Sequence, residues 1–124
     1  MIEWDENGYP TEESLQRLRE AVQQRDPGQA LRALYLGLCE HAKHVGHCGL
    51  TECEVRGEKL RVWEYHTHGW SGNEAIIGCL EQSPYWHWIL QRYDAGGHYY
   101  FSLEDAPPGL LAVMQKRCRE RYGE

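Results

Sequence analysis

Apolar positions in the first third of the chain recur with a helical period. Leu15, Leu18 and Val22 follow Thr11, a side chain suited to capping, and Glu12 and Glu13 occupy the first turn where the helix dipole favours acids. The preceding Asn7-Gly8-Tyr9-Pro10 is a turn. Asp26-Pro27 stops this helix and starts another, with Asp26 as cap and Pro27 in the first helical position; Leu31, Leu34, Leu38, Ala42 and Val45 form its apolar stripe. From Gly46 the period changes. Leu60–His66 alternates and carries the strand formers Val62, Trp63 and Tyr65; Leu50–Val55 is an optional short strand before it, with Arg56-Gly57-Glu58-Lys59 as the turn between them.

The stretch Thr67-His68-Gly69-Trp70-Ser71-Gly72-Asn73-Glu74 marks the next change of period. The pattern predicts a strand end, a turn on glycines and a third helix after Ser71, where Ser71-x-x-Glu74 has the spacing of a capping box and Ile76, Ile77 and Leu80 follow. Ser83-Pro84 ends that helix. Trp86–Leu103 then predicts a β-hairpin around Asp94-Ala95-Gly96-Gly97. With Tyr93 opposite His98, one face carries Trp88, Leu90, Tyr99, Phe101 and Leu103, and the other carries His87, Ile89, Gln91, Tyr93, His98, Tyr100 and Ser102. After Asp105-Ala106-Pro107-Pro108, a last helix holds Leu110, Leu111, Val113 and Met114 and ends on the basic Lys116-Arg117-Cys118-Arg119.

The order α-α-(β)-β-α-β-β-α predicts a single α+β domain over residues 1–124. Its expected sheet has three or four strands, antiparallel or mixed, with helices packed mainly on one face. A chain of 124 residues is long enough to bury a core without metal or disulfide. Hydrophobic content of 41% against 26% charged residues is that of a folded protein rather than a disordered one.

Charge narrows the partners. A formal net charge of −6 leaves nothing to gain from counterion release, which argues against general nucleic-acid binding. No apolar run approaches the ~18 residues that span a bilayer. Five cysteines, an odd number with no C-x-x-C pair, and an acidic N-terminus lacking a basic-then-apolar signal pattern point to reduced thiols in a cytoplasmic protein.

Several constellations carry candidate chemistry. The glycine turn gathers free helix-start amides with Trp70, His66 and His68, a set suited to an anion or a stacked ring; its duller explanation is that Ser71 and Glu74 satisfy the amides and the indole fills the core. No Lys follows the glycines, so it is not a P-loop. Cys39, His41, His44, His47 and Cys48 cluster without the spacing of a common zinc site, and His66-x-His68 places two rings on one strand face; neither is assigned a metal, and no cofactor is assigned. Glu64 shares that strand face and offers a carboxylate–imidazole pair for acid–base work, while Cys79 has the ordinary explanation of a core thiol. No Ser-His-Asp order and no H-E-x-x-H run is present, so an enzyme is the less favoured class. The hairpin face with Tyr93, Tyr100, Ile89, His87 and His98 offers an aromatic patch of the kind that marks protein interfaces, unless a helix of the chain covers it.

Thr67 to Glu74, Ile76-Ile77, the aromatic Trp86 and Trp88, and Gly96-Gly97-His98-Tyr99-Tyr100-Phe101 together resemble a family of small proteins found in bacterial genomes, phages and prophages. Its pattern runs roughly T-x-G-W-S-G-N-E-x-I-I, an aromatic pair, then R-G-G-x-Y-x-F. Asp5-Glu6-Asn7-Gly8-Tyr9-Pro10-Thr11-Glu12-Glu13 is similar to the start of such proteins. Ala95 stands where the family often has Arg before the glycine pair, so no anion-binding role of that Arg carries over. The likeness implies fold and genomic context and brings no activity with it.

These observations order three functions. The first is a non-enzymatic binding protein that contacts a partner protein through the hairpin face and the Trp70 turn, as an inhibitor of a host or defence protein would. The second is a small-ligand module holding a nucleotide or phosphate at the Gly69–Glu74 helix start. The third is a weak hydrolase using His66, His68 and Glu64. The residues expected to bind a ligand or partner are His66, His68, Gly69, Trp70, Ser71, Gly72, Asn73, Tyr93, His98 and Tyr100.

Overall fold

The computed structural model describes residues 2–39 and 47–122. Helix α1 (Glu12–Ala21) is capped by the Thr11 hydroxyl, which accepts from the Ser14 amide at 3.2 Å. Helix α2 (Pro27–Gly37) is capped by Asp26, which accepts from the Gly28 amide at 3.0 Å. Both start where the sequence pattern places them. Ala42 and Val45 of the expected α2 stripe, with His41 and His44, lie outside the described residues.

Strands β1 (His47–Val55) and β2 (Glu58–His66) form a hairpin longer than the pattern suggests. Its turn is only Arg56-Gly57, both with positive φ, the twist that suits a two-residue hairpin. Helix α3 (Ser71–Leu80) and a single turn α4 (Trp86–Ile89) lead to β3 (Leu90–Asp94), β4 (His98–Ser102) and α5 (Leu110–Tyr122). The four strands pair antiparallel in the order β1-β2-β4-β3. The α+β class, the element order and the sheet agree with the sequence expectation.

Register sorts the side chains into two faces. Cys48 lies opposite Tyr65, Trp63 opposite Phe101, and Tyr65 opposite Tyr99; this set meets the helices and, with Leu34, Leu38, Ile76, Leu80 and Met114, forms the core. Two polar bonds, the first part-buried and the second buried, tie α2 and its C-cap to the sheet: the Tyr35 hydroxyl donates to the Ser102 carbonyl at 2.6 Å, and the Trp63 indole donates to the Leu38 carbonyl at 3.2 Å. The second face carries His47, Glu64, His66, His98, Tyr100 and Ser102. Val62, on this face, is buried yet stands apart from the main core.

The hairpin β3–β4 departs from its expected form in two ways. Residues 86–89 are helical, because the Ser83 hydroxyl and carbonyl accept from the Tyr85 and Trp86 amides and wind the chain. Ile89 therefore enters the core, and Trp88 points out at 59% exposure, the reverse of the strand expectation. Leu90 does pair with Phe101, but a bulge at Gln91 shifts the remainder, so Arg92 faces Tyr100, Tyr93 faces Tyr99 and Asp94 faces His98. Tyr93 is thereby moved to the face opposite His98 and Tyr100.

Candidate functional site

The end of β2 is organised around Thr67. Its amide donates to the Gly97 carbonyl at 3.0 Å, carrying the β2–β4 pairing one residue further. Its carbonyl accepts from the Trp70 amide and from the buried Asn73 side chain, the latter at 2.8 Å. Its hydroxyl accepts from the Gly69 amide at 3.2 Å and donates to Glu74 at 3.1 Å. His68 and Gly69 both take positive φ, and this left-handed pair turns the chain into α3.

The expected capping box does not form. Ser71 is already the first helical residue, Trp70 holds the cap position with no side-chain capping bond, and Glu74 is engaged by Thr67. The tight turn at His68-Gly69 starts the helix one residue early and brings the Thr67 hydroxyl within reach of Glu74.

Trp70 is also committed. Its ring lies over Gly72, where a Cβ would run into the indole, and stacks on Tyr9 with centroids 5.2 Å apart, with Trp4 at 6.4 Å. Tyr9 is held by a turn in which Asp5 accepts from the Asn7 and Tyr9 amides. The N-terminal turn and the Trp70 turn are thus in contact, and much of their chemistry serves that junction. Gly97 belongs to the same design: a Cβ there would collide with the Thr67 hydroxyl.

On the second sheet face three imidazoles stack. His66 lies between His98 at 3.6 Å and His68 at 3.9 Å, centroid to centroid. Burial, then the neighbouring His68 and His98, hold the His66 pKa below its ordinary value, against a backbone bond to Gly96 and the Glu64 charge that raise it. Glu64 stands 4.0 Å from His47 Nε2 and 4.0 Å from His98 Nδ1. Burial first, then the Glu64 charge, push the Tyr100 phenol up. Arg92 lies 5.7 Å above the Tyr100 ring, pairs with Asp94 at 2.9 Å and donates to the Glu54 carbonyl at 3.2 Å. Arg92 thus reaches from one edge strand of the sheet to the other, which requires the sheet to curl around this face.

Of the expected residues, His66, His68, His98 and Tyr100 share this face. Gly69, Trp70, Ser71, Gly72 and Asn73 form the adjoining turn and helix start. Tyr93 lies away from both, 52% exposed and 4.8 Å from the Tyr99 ring. His47 and Arg92 join the histidine face through register, a signal absent from local spacing. Stacked rings do not converge their nitrogens on a point. Among the described residues no group of three His, Cys, Asp or Glu side chains is placed to hold a metal. At the helix start the indole that would cover a bound ring already packs on Tyr9 and Trp4. The face can accept and donate hydrogen bonds through its imidazoles and one carboxylate.

Among the described residues no helix is long and apolar enough to cross a membrane. No protein-family model, no curated protein and no solved structure matches this chain.

Proposed function

We propose that this chain is a non-enzymatic binding protein whose partner is another protein, engaged along the outer edge of β3. The observation that carries this reading is the exposure of two large aromatics beside an edge strand. Trp88 is 59% exposed just before β3, and Tyr93 is 52% exposed within it. Tyr85 lies 5.6 Å from Trp88 and Tyr99 lies 4.8 Å from Tyr93, so each exposed ring is backed by a second one. Exposed Trp and Tyr held rigidly are typical anchors of protein interfaces, and an edge strand offers main-chain groups for an added strand. The partner that fits is an extended segment with apolar side chains toward the rings. The net charge of −6 favours a neutral or basic one. Action against a host or defence protein in a phage or prophage setting belongs to the same proposal and rests on the family likeness alone.

The test is capture with the purified chain as bait, comparing the wild type with Trp88→Ala, Tyr93→Asp and, on the other face, His98→Ala. A defined partner retained by His98→Ala and weakened about tenfold or more by Tyr93→Asp supports the reading. Identical recovery by all four folded proteins overturns it.

A further inference from the structure

We propose that Cys48 and Cys118 form a reversible thiol–disulfide site that fastens α5 to β1, with a low-molecular-weight disulfide such as oxidised glutathione as co-substrate. The Cys48 thiol, 1% exposed on the core side of β1, donates to Cys118 Sγ at 3.7 Å. The Cys118 thiol, half-buried on α5, donates back to the Cys48 carbonyl at 2.9 Å. The two sulfurs therefore face each other across the seam between an edge strand and the last helix, and closing to a ~2.05 Å bond requires an approach of about 1.7 Å.

The other thiols are placed differently. Cys39 donates to the Tyr35 carbonyl, Cys79 is buried beside Arg19 with its pKa raised by burial, and Cys53 lies on the opposite sheet face near Arg92. The positions of the pair also divide the labour. Both cysteines line one cleft with Trp63, Gln115 and Arg119, and of the two residues Cys118 is half-buried while Cys48 is buried.

The step balances as two exchanges. The Cys118 thiolate attacks one sulfur of the small disulfide, forming a mixed disulfide and expelling one thiolate. The Cys48 thiolate then attacks Cys118 Sγ, forming the internal bond and expelling the second thiolate. The two protein sulfurs are oxidised by two electrons in all, the small disulfide is reduced to two thiols, and the two cysteine protons pass to those leaving groups. An external dithiol reverses both steps. The bond would close a loop of seventy residues, which restricts the unfolded chain strongly.

The experiment incubates the intact chain with oxidised glutathione, quenches with an alkylating agent and maps the peptides without reduction. The expected result is one internal link between the peptides holding Cys48 and Cys118, with a mass loss of about 2 Da, reversed by dithiothreitol. The melting temperature should rise by about 5 °C or more on oxidation. Cys118→Ser should abolish the link and the rise. Cys48→Ser should arrest the reaction as a glutathione adduct on Cys118. Should a Cys48→Ser chain fail to fold, Cys118→Ser at its half-buried position carries the test alone. Alkylation of both wild-type thiols after oxidation, a link through another cysteine or between two copies, or an unchanged melting temperature overturns the proposal.

Discussion

The hydroxyl of Thr67 and the α-carbon of Gly97 approach so closely that no side chain fits between them. Gly97 also takes a φ of 86°, so it is fixed by both conformation and contact. Gly96 has a similar φ of 96° but only ordinary contacts around it. Gly97→Ala should therefore cost about 3 kcal/mol and Gly96→Ala about 1 kcal/mol in urea unfolding, the difference being the collision with Thr67. Adding Thr67→Ala to Gly97→Ala should recover part of the loss. Equal costs at the two glycines would refute the contact.

The two tryptophans at Trp70 and Trp88 should behave oppositely. Trp70→Ala empties the space over Gly72 and leaves Tyr9 without its ring, and a loss of about 2 kcal/mol is expected in chemical denaturation. Trp88→Ala removes a mostly exposed ring and should change stability by no more than about 0.5 kcal/mol. The reverse ranking would place the indoles wrongly.

Stability should fall on mild acidification. The folded chain holds His66 below the ordinary imidazole pKa, chiefly by burial and then by His68 and His98. The unfolded chain thus binds a proton that the folded one resists, so the contribution is complete above about pH 6.5 and declines as the pH drops below it. The melting temperature measured from pH 7.5 to 5 should decline, and His66→Gln should flatten the decline. A wild-type curve that is level or rises toward pH 5 contradicts this.

Tyr35→Phe isolates the bond that ties α2 to the end of β4. Burial, then the Asp105 charge, push the Tyr35 phenol up, so it remains a donor to the Ser102 carbonyl at any accessible pH. Its removal strands a part-buried acceptor and should cost about 1 kcal/mol in denaturant unfolding. A neutral substitution would mean that water replaces the hydroxyl.

The sequence shows most of the fold because its start signals are local. Thr11, Asp26-Pro27 and the alternation through Val62, Trp63 and Tyr65 each act within a few residues. The junction at residues 67–74 was legible as a turn into a helix, but its bonding was not. Ser71 and Glu74 have the spacing of a cap, and only the fold brings Thr67 into competition for Glu74. The hairpin register failed for a similar reason. One extra residue at Gln91 leaves no trace in the alternation of Leu90, Arg92 and Tyr93, yet it moves Tyr93 across the sheet. The histidine face needed pairing across strands, since His47, His66 and His98 are far apart in the chain and adjacent only in register.

The irregularity at Gln91 also bears on self-association. A straight outer rim invites identical chains to line up against one another without limit. Here the kink leaves only three regularly paired residues, Arg92 to Asp94, on a rim that is already bent. A guest whose backbone matches that bend can settle there, while an endless ribbon of copies finds no flat place to grow.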